Sequence, residues 1–448
     1  MGTSAASVGS VAGAASTGSF NAQQYVQSII QSEQGPEQLM QQQVSTLSDQ
    51  ATALGTISTQ LQSLQTAVFA LNDFQGALAA KTTSSSNSGV ATATADSTAA
   101  AGSHTVVVSN LATTSSAYSS TLANGDTTFA TGSFSLQVGT GTPTTITVDS
   151  TNDTLNTLAA SINSQNLGVT ASVITDANGS RLGLVSGSSG AAGDLTISGN
   201  TTGITFTKAV KGVNANFTVD GISLASTSNT VTGVVQGVTL NLTGTDPAGA
   251  TVTVAPDTTQ ATTAITNFVN AYNQVIGSLN TQFKYDPTSQ STGPLGSDTT
   301  VMDLQQQLLG NAAFSISGNS GFVNLASIGV DMNNDGTLSI NTSTLNGAMA
   351  SNFTAVQNLF QQVSPAGFAQ NFDNNLLTMT DPVASPIAVD QQGIAQTTAD
   401  LNQQIADFQS RLDSQEQQLM QVYSGVAVTI QNLPTQLSQI QSQLGSIA

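Results

Sequence analysis

The chain has 448 residues, with 6 Lys and Arg against 25 Asp and Glu, so its net charge is −19 although only 7% of its residues are charged. Binding to nucleic acid depends on clustered cations that neutralise phosphates, and this composition excludes such a partner. The lack of cysteine and the single histidine exclude disulfides, thiolate metal sites and catalysis by paired histidines.

The chain contains no run of about 20 apolar residues, so we expect no insertion into a membrane. Apart from Met1 and two valines, residues 1–19 are Ala, Ser, Gly and Thr. They lack the basic start and the apolar run of a secretory signal. A cysteine-free composition rich in Thr, Ser, Asn and Gly is typical of extracellular bacterial structural proteins. We therefore expect export without a cleaved signal.

The first amphipathic segment begins at Asn21, which together with Gln24 predicts a capping box. Its apolar residues share one face of a helix and include Val26, Ile29 and Ile30. Gly35 and Pro36 then separate this helix from the next, since proline is favoured in the first turn of a helix.

A heptad pattern follows Pro36. Apolar residues seven positions apart form one column, namely Met40, Leu47, Leu54, Leu61 and Val68. A second column, three positions on, contains Ile57, Leu64 and Leu71. The two columns predict a coiled-coil seam along a helix roughly 50 Å long.

From about Val90 the pattern changes to the period-two alternation of β-strands. Strand patterns on both sides of a short helix at Asp153–Asn163 predict a β-β-α-β-β-β unit over residues 130–198. A second β-rich block follows and contains a hairpin around Asp220-Gly221.

Helical periodicity resumes at Thr259 and recurs at about 298–309 and 345–360. The last part of the chain repeats the heptad pattern, and Gly425 and Pro434 are expected to loosen or kink this helix. An amphipathic stripe continues to the chain end, formed by Leu433, Leu437, Ile440, Leu444 and Ile447.

The segment from Asp331 to Gly336 matches the first half of an EF-hand loop. Position 12 is Thr342, whereas calcium needs a bidentate Glu there. A β-hairpin formed by Ser327–Val330 and Thr337–Ile340 is predicted instead, and no metal site is expected.

His104 stands at the start of a predicted strand, with no second histidine and no carboxylate near it in the sequence. We interpret it as a surface residue of the strand. The sequence brings no acid, base and nucleophile together, so it predicts no catalytic residue, no cofactor and no enzymatic activity.

These elements predict an α+β multidomain protein, in which helical coiled-coil arms from both termini pack with an α-rich domain and two β-rich domains are inserted. The predicted boundaries are terminal arms at 1–39 and 421–448, mobile in the monomer; a leg at 40–84 and 259–420; a head at 85–129 and 199–258; and an inserted domain at 130–198.

The order of these motifs resembles one family, the flagellar filament-cap proteins, also called flagellar hook-associated protein 2. The similar segments, in chain order, lie at 20–33, 101–112 (AGSHTVVVSNLA), 146–197, 216–224, 268–273 (FVNAYN), 328–338 and 352–360. The segment 146–197 resembles the inserted repeat of flagellins. The chain departs from the family at Val422–Val426, where members usually have a charged, Phe-containing stretch.

The resemblance implies a secreted structural protein at the distal tip of a bacterial flagellum, where about four to six copies form a cap that guides the insertion of exported flagellin. Implied partners are further copies of the chain, flagellin, hook-filament junction proteins and an export chaperone. The alternatives are a filament-forming flagellin or another hook-associated subunit, and a β-rich adhesin. Some family members adhere to host mucus, and the sequence leaves that property open.

An apolar seam as long as that of the arms has too little partner surface within one small domain, so we expect it to pair between subunits or with the filament. The residues assigned to these contacts are Val26, Ile29, Ile30, Met40, Leu47, Leu54, Leu61, Leu433, Leu437, Ile440, Leu444 and Ile447.

Overall fold

The computed structural model describes residues 20–288, 290–363 and 365–445 of the chain. Its helices are α1 (Ala22–Glu33), α2 (Gly35–Asn72), α3 (Leu155–Ser164), α4 (Thr258–Phe283), α5 (Thr299–Ala312), α6 (Thr342–Gln361), α7 (Phe368–Thr380) and α8 (Pro386–Gly445). None of these described helices is both long and apolar enough to cross a membrane.

The strands are grouped between α2 and α4, with one further hairpin between α5 and α6. They are β1 (Lys81–Ser85), β2 (Ala91–Ala95), β3 (Gly102–Asn110), β4 (Thr114–Ser119), β5 (Gly132–Val138), β6 (Thr144–Val148), β7 (Val169–Asp176), β8 (Gly179–Ser189), β9 (Leu195–Ser198), β10 (Phe206–Val210), β11 (Ala215–Val219), β12 (Ile222–Ser226), β13 (Thr230–Val235), β14 (Val238–Leu242), β15 (Ala250–Pro256), β16 (Val330–Met332) and β17 (Leu338–Ile340). The predicted α+β multidomain class is confirmed.

The leg is a helical domain built where α2 packs against α4 and α7. Asp257 caps the start of α4, because its carboxylate accepts hydrogen bonds from the backbone N–H groups of the first turn. Apolar residues then recur at helical spacing and bury one face of α4. At the centre of this core the rings of Phe268, Phe368 and Phe372 lie 5.5 to 5.7 Å apart, two of the three pairs edge to face.

The head consists of two antiparallel sheets, in the strand orders β1-β15-β3-β11-β12 and β13-β14-β2. Val106, Val252 and Leu240 are among the buried side chains of their common core. The strands β1 and β2 were not predicted, because KTTSS and ATATA contain no large apolar residue. β1 pairs with β15, and β2 pairs with β14. Hydrogen bonding to these neighbours, rather than a signal from their own side chains, determines where the two strands lie.

The inserted unit has its own core between the sheets β10-β4-β8-β7 and β6-β5-β9 and the helix α3. Its strand order along the chain follows the predicted β-β-α-β-β-β pattern over 130–198. Strands β4 and β10, which lie outside that range, pair with the same sheet and with each other. The unit therefore extends beyond both predicted boundaries, because β4 (TSSAYS) has no aliphatic residue larger than alanine and β10 (FTKAV) lacks the period-two alternation of a half-buried strand.

Asp194 fixes the end of the inserted unit that joins the head. Its carboxylate accepts hydrogen bonds from Lys208 Nζ at 2.9 Å, from the Gly212 backbone N–H at 2.8 Å and from Ser115 Oγ at 3.1 Å. Burial alone would raise the pKa of Asp194, but these bonds outweigh it and hold the pKa below its ordinary value.

The helix α8 is one 60-residue helix that runs through Gly425 and Pro434, the two positions at which the sequence predicts loosening or a kink. One detail differs from the sequence predictions. The hairpin after α5 begins at Val330 rather than at Ser327, because residues 326–328 form a turn of 3₁₀-helix. The side chain of Asp335 accepts from the N–H and Oγ1 of Thr337 and so closes this hairpin.

We predict that Tyr272→Phe keeps or raises the free energy of unfolding of the leg. The Tyr272 ring is fully buried, its burial raises the pKa of the hydroxyl, and no hydrogen-bond partner for that hydroxyl lies within the described residues. Removing an unsatisfied buried hydroxyl gains up to about 1 kcal/mol, whereas Tyr272→Ala leaves a cavity that costs about 3–5 kcal/mol. Urea titration of both variants measures the difference, and a clear loss of stability in Tyr272→Phe would show that the hydroxyl has a partner.

Candidate assembly surface on the helical leg

The long helix α8 returns antiparallel along α2 and then along α1. Two carboxylate-to-amide hydrogen bonds mark the register: Gln409 Nε2 donates to Glu37 Oε1 at 2.6 Å, and Gln415 Nε2 donates to Glu33 Oε1 at 3.0 Å. Each step towards the C-terminus on α8 is therefore matched by a step towards the N-terminus on its partner helices.

Glutamine takes the place of the cations that commonly pair with carboxylates in coiled coils. Glu37 is only 9% exposed, and its Oε1 also accepts from Gln41 Nε2 at 2.9 Å. Neutral amides thus satisfy this buried carboxylate, which explains how arms rich in Gln and poor in Lys and Arg form a paired structure.

Three aromatic rings close the paired region at its far end. Tyr423 of α8 lies 4.9 Å from Tyr25 and 6.1 Å from Phe20 between ring centroids, and Phe20 lies 5.9 Å from Tyr25. The last of these contacts is the one that a hydrophobic staple at the start of α1 predicts. We call Phe20, Tyr25 and Tyr423 the aromatic clasp.

Beyond the clasp the apolar seam of α8 continues without a covering helix in the described residues. Leu412, before the clasp, is 7% exposed. The seam residues after it follow the alternating four-three spacing of a coiled coil and are Val426 at 40%, Ile430 at 42%, Leu433 at 47%, Leu437 at 55% and Ile440 at 53% exposed. We call these five residues the open seam.

The open seam is also free of charge. No Asp, Glu, Lys or Arg follows Glu416 in the chain, and the polar residues of this part of the helix are Gln, Ser, Thr and Asn. This surface offers a partner apolar contact and amide hydrogen bonding, and such contacts depend little on ionic strength.

The structure separates the predicted contact residues into groups. Leu433, Leu437 and Ile440 belong to the open seam, whereas Ile447 and the side chain of Leu444 lie outside the described residues. Val26 and Ile30 are buried on α1, which packs on α8, and Ile29, Met40 and Leu47 are half-buried.

Leu54 and Leu61 are corrections to the prediction. Both are 0% exposed within the core of the leg, where α2 packs against α4, α7 and α8. They are unavailable to another subunit, because helices from the middle of the chain cover the seam that the heptad pattern assigned to assembly. Val426 and Ile430, which the predicted contact set omitted, continue the same spacing and belong to the open seam.

His104 also has a partner that the sequence did not reveal. Strand β3 pairs with β11, so the turn after β11 brings Asp220 Oδ2 to 2.8 Å from His104 Nδ1, 116 residues away in the chain. The bonds from His104 and from the Thr105 N–H hold the pKa of Asp220 below its ordinary value. This pair fixes a turn of the head, and no group of three or more His, Asp or Glu in the described residues could hold a metal ion.

A leg made from both ends of the chain, with β-domains inserted between them and an uncovered helix seam at its tip, defines a class of structural proteins that act by assembly. The comparisons with known proteins agree. Models of flagellar hook-associated protein 2 match residues 18–115 with its N-terminus and residues 212–434 with its C-terminus, and the flagellin hook IN motif matches residues 133–188. The chain therefore belongs to the flagellar hook-associated protein 2 family.

Individual relatives cover most of the chain. B-type flagellar hook-associated protein 2 of Pseudomonas aeruginosa is 28% identical over 436 residues, 90% of each chain, and flagellar hook-associated protein 2 of Escherichia coli is 26% identical over 431 residues, 90% of this chain and 91% of the relative. The crystal structure of three domains of the flagellar cap protein FliD from Escherichia coli is similar at 28% identity with a TM-score of 0.62, covering 77% of this chain and 99% of that chain.

We predict that Tyr423→Ala loosens α1 without unfolding the head. Losing two ring contacts costs about 0.5–1.5 kcal/mol each, so amides of residues 22–33 should exchange several-fold faster. Hydrogen exchange read by mass spectrometry measures this change, with Val428→Ala as the control because Val428 is 58% exposed on the same helix. Unchanged exchange in α1 would mean that the clasp does not hold this helix.

Proposed function

We propose that this chain is a structural protein that caps the distal end of a bacterial flagellar filament, outside the cell, and guides the polymerisation of exported flagellin beneath it. Membership of the family supports the tip location and the structural role. The mechanism that we propose rests on the open seam. Its five exposed apolar side chains follow coiled-coil spacing near the end of the 60-residue helix α8.

The seam supplies the driving force for assembly. Burying a large apolar side chain contributes about 1.5–3 kcal/mol, and five such residues remain exposed in the single chain. Other copies of the chain and subunits of the filament or of the hook-filament junction cover them in the assembled state. We propose a ring of about four to six copies, since closed symmetric rings satisfy every copy equally.

Ordering the arm on binding uses part of this free energy, so each contact is weak enough to be exchanged as a subunit inserts. The sequence predicts that residues 1–39 and 421–448 are mobile in the monomer. Within the first range, however, Val26 and Ile30 are buried, which argues against mobility of α1. We propose that the part of α8 beyond Tyr423 is the moving part, and that α1 stays with the leg. Residues 1–19 lie outside the described residues.

A protein that is exported before it assembles must keep the same seam covered inside the cell. We propose that an export chaperone binds the open seam inside the cell. After release from the chaperone, the same surface forms the contacts of the cap. The alternatives of a flagellin or another hook-associated subunit have no comparable support, because the N-terminal and C-terminal models of a single cap family match most of the chain in order. The alternative of a β-rich adhesin is not supported either, because the leg is a helical domain made from both ends of the chain.

The test replaces apolar residues of the open seam by serine and leaves the rest of α8 unchanged. We predict that the triple variant Leu433→Ser, Leu437→Ser and Ile440→Ser folds with an unchanged thermal midpoint but does not cap. In cells that lack their own cap protein, it should leave filaments ungrown and release flagellin into the medium.

The matched control is Gln431→Ser, Gln436→Ser and Gln439→Ser, which alters the same helix turns outside the seam. This control should restore filament growth as the unaltered chain does. Normal filaments with the triple seam variant would refute the proposal.

A further inference from the structure

The hairpin that joins β7 to β8 contains a pair of residues that can react with each other. Asparagine is followed by glycine at three positions of the chain, Asn124, Asn178 and Asn346. At such a pair the backbone nitrogen of the glycine can attack the side-chain carbonyl carbon of the asparagine, since glycine has no Cβ to hinder the approach. The reaction needs a free side chain and a mobile peptide, so the fold decides which of the three pairs reacts.

The fold requires the glycine of the hairpin. Gly179 has a φ of +125°, which residues with a side chain rarely adopt, and a Cβ at this position would collide with the backbone oxygen of Leu122. That oxygen accepts a hydrogen bond from the Ser180 N–H at 2.8 Å. Asparagine is favoured in the preceding turn position. The turn chemistry of this hairpin therefore creates the reactive pair.

Nothing in the described residues restrains the side chain of Asn178. It is exposed and makes no hydrogen bond there, whereas its backbone N–H donates to Asp176 Oδ1 at 2.7 Å. Gly179 pairs with Asp176 at the last position of the ladder, so only the tip of the hairpin has to open to free the glycine nitrogen.

The pair at Asn124 is exposed as well, but its atoms are held. Asn124 Oδ1 accepts hydrogen bonds from the Asp126 N–H at 2.9 Å and from Thr127 Oγ1 at 3.2 Å. The carbonyl oxygen of Gly125 accepts from the Asn156 N–H at 3.1 Å, which fixes the peptide that follows. Both bonds to Asn124 Oδ1 have to break before the side chain can turn towards the glycine nitrogen.

The pair at Asn346 is held by a helix. Asn346 and Gly347 lie within α6, between the buried residues Leu345 and Ala348. In a helix the glycine N–H donates to the carbonyl four residues earlier, and the backbone angles are fixed. This pair reacts only when that part of α6 unfolds.

We propose that Asn178 is a site of spontaneous deamidation in the folded protein. The Gly179 nitrogen forms a bond to Asn178 Cγ, the bond from Cγ to Nδ2 breaks, and ammonia leaves with the proton of the peptide nitrogen. Water then opens the succinimide ring at one of its two carbonyl groups and leaves an aspartyl or an isoaspartyl residue. The reaction consumes water alone and needs no enzyme.

The product changes the tip of the inserted unit. A carboxylate appears two residues from Asp176, in a chain whose net charge is already −19. In the isoaspartyl form the backbone also gains a methylene group, which breaks the pairing of Asp176 with Gly179. The change stays local, because Ser180 is buried and exchanges two hydrogen bonds with Leu122. The inserted unit thus carries a chemical record of its age at this hairpin.

The experiment follows the full-length folded chain in mildly alkaline buffer, where loss of the peptide proton is faster. Peptide mass spectrometry with fragmentation that distinguishes isoaspartyl residues measures conversion at each of the three pairs. Asn178 should convert about tenfold faster than Asn124 or more, since each bond that must first break slows the reaction. Hydrogen exchange at 175–179 should rise as the product accumulates.

Two controls separate the fold from the local sequence. In concentrated urea, where the structure is lost, the three pairs should convert at similar rates. Asn178→Gln keeps the amide but makes ring closure slower, so it should abolish conversion at this hairpin and leave the other two pairs unchanged. Thr127→Val removes one bond to Asn124 Oδ1 and should speed conversion there several-fold.

The inference fails if Asn178 of the folded chain stays intact while it converts in urea, or if the three pairs convert equally in both conditions. Neither result bears on capping, because filament growth is measured with other variants. Conversion at Asn178 in a chain that does not cap would leave the inference standing without the proposed function.

Discussion

The antiparallel packing of α8 along α2 and α1 is the contact on which the rest of the leg depends. It brings the two ends of the chain together, so the β-domains between them are carried as an insertion. The contact is built from apolar seam residues and from Gln side chains that donate to Glu33 and Glu37. It ends at the aromatic clasp, and the same seam continues past the clasp with nothing in the described residues to cover it. The same heptad pattern on α8 thus serves folding before Tyr423 and, in the proposed function, assembly beyond it.

This division has a thermodynamic consequence. The part of α8 before the clasp is held by a folded domain, whereas an isolated helical segment beyond it has little intrinsic stability in water. If the open seam binds a partner as we propose, assembly stabilises the far part of α8, and loss of the partner returns it to an exposed state. Because no charged side chain follows Glu416, we expect this exchange to be driven by apolar burial and to depend little on salt.

Much of this organisation could be predicted from the sequence, since long periodic helices and alternating strands carry their own signals. The heptads predicted α2 and α8, and the short helix and hairpins of the inserted unit were predicted from spacing alone. The strands β1 and β2 could not be predicted in this way, because their residues are small and polar and are placed by their neighbours. The helix α7 was missed as well. Its buried aromatic residues belong to a core whose other half lies about a hundred positions away in the chain.

The sequence predicted only some of the residues of the candidate assembly surface, and the reason is related. A heptad indicates that a seam will be covered, but not which helix covers it. Leu54 and Leu61 have the same spacing as Leu433 and Ile440, yet the first pair is buried in the core that α2 forms with other helices of the leg. The His104-Asp220 pair depends on strand register over 116 residues, which no local pattern contains.

The most direct test of the division at Tyr423 is hydrogen exchange across α8, compared between dilute single chains and the assembled cap. We predict that amides of 426–443 exchange rapidly in the single chain and become strongly protected on assembly, while those of 400–420 are protected in both states. Equal protection of 426–443 in the two states would contradict it, because the open seam would then be satisfied without a partner.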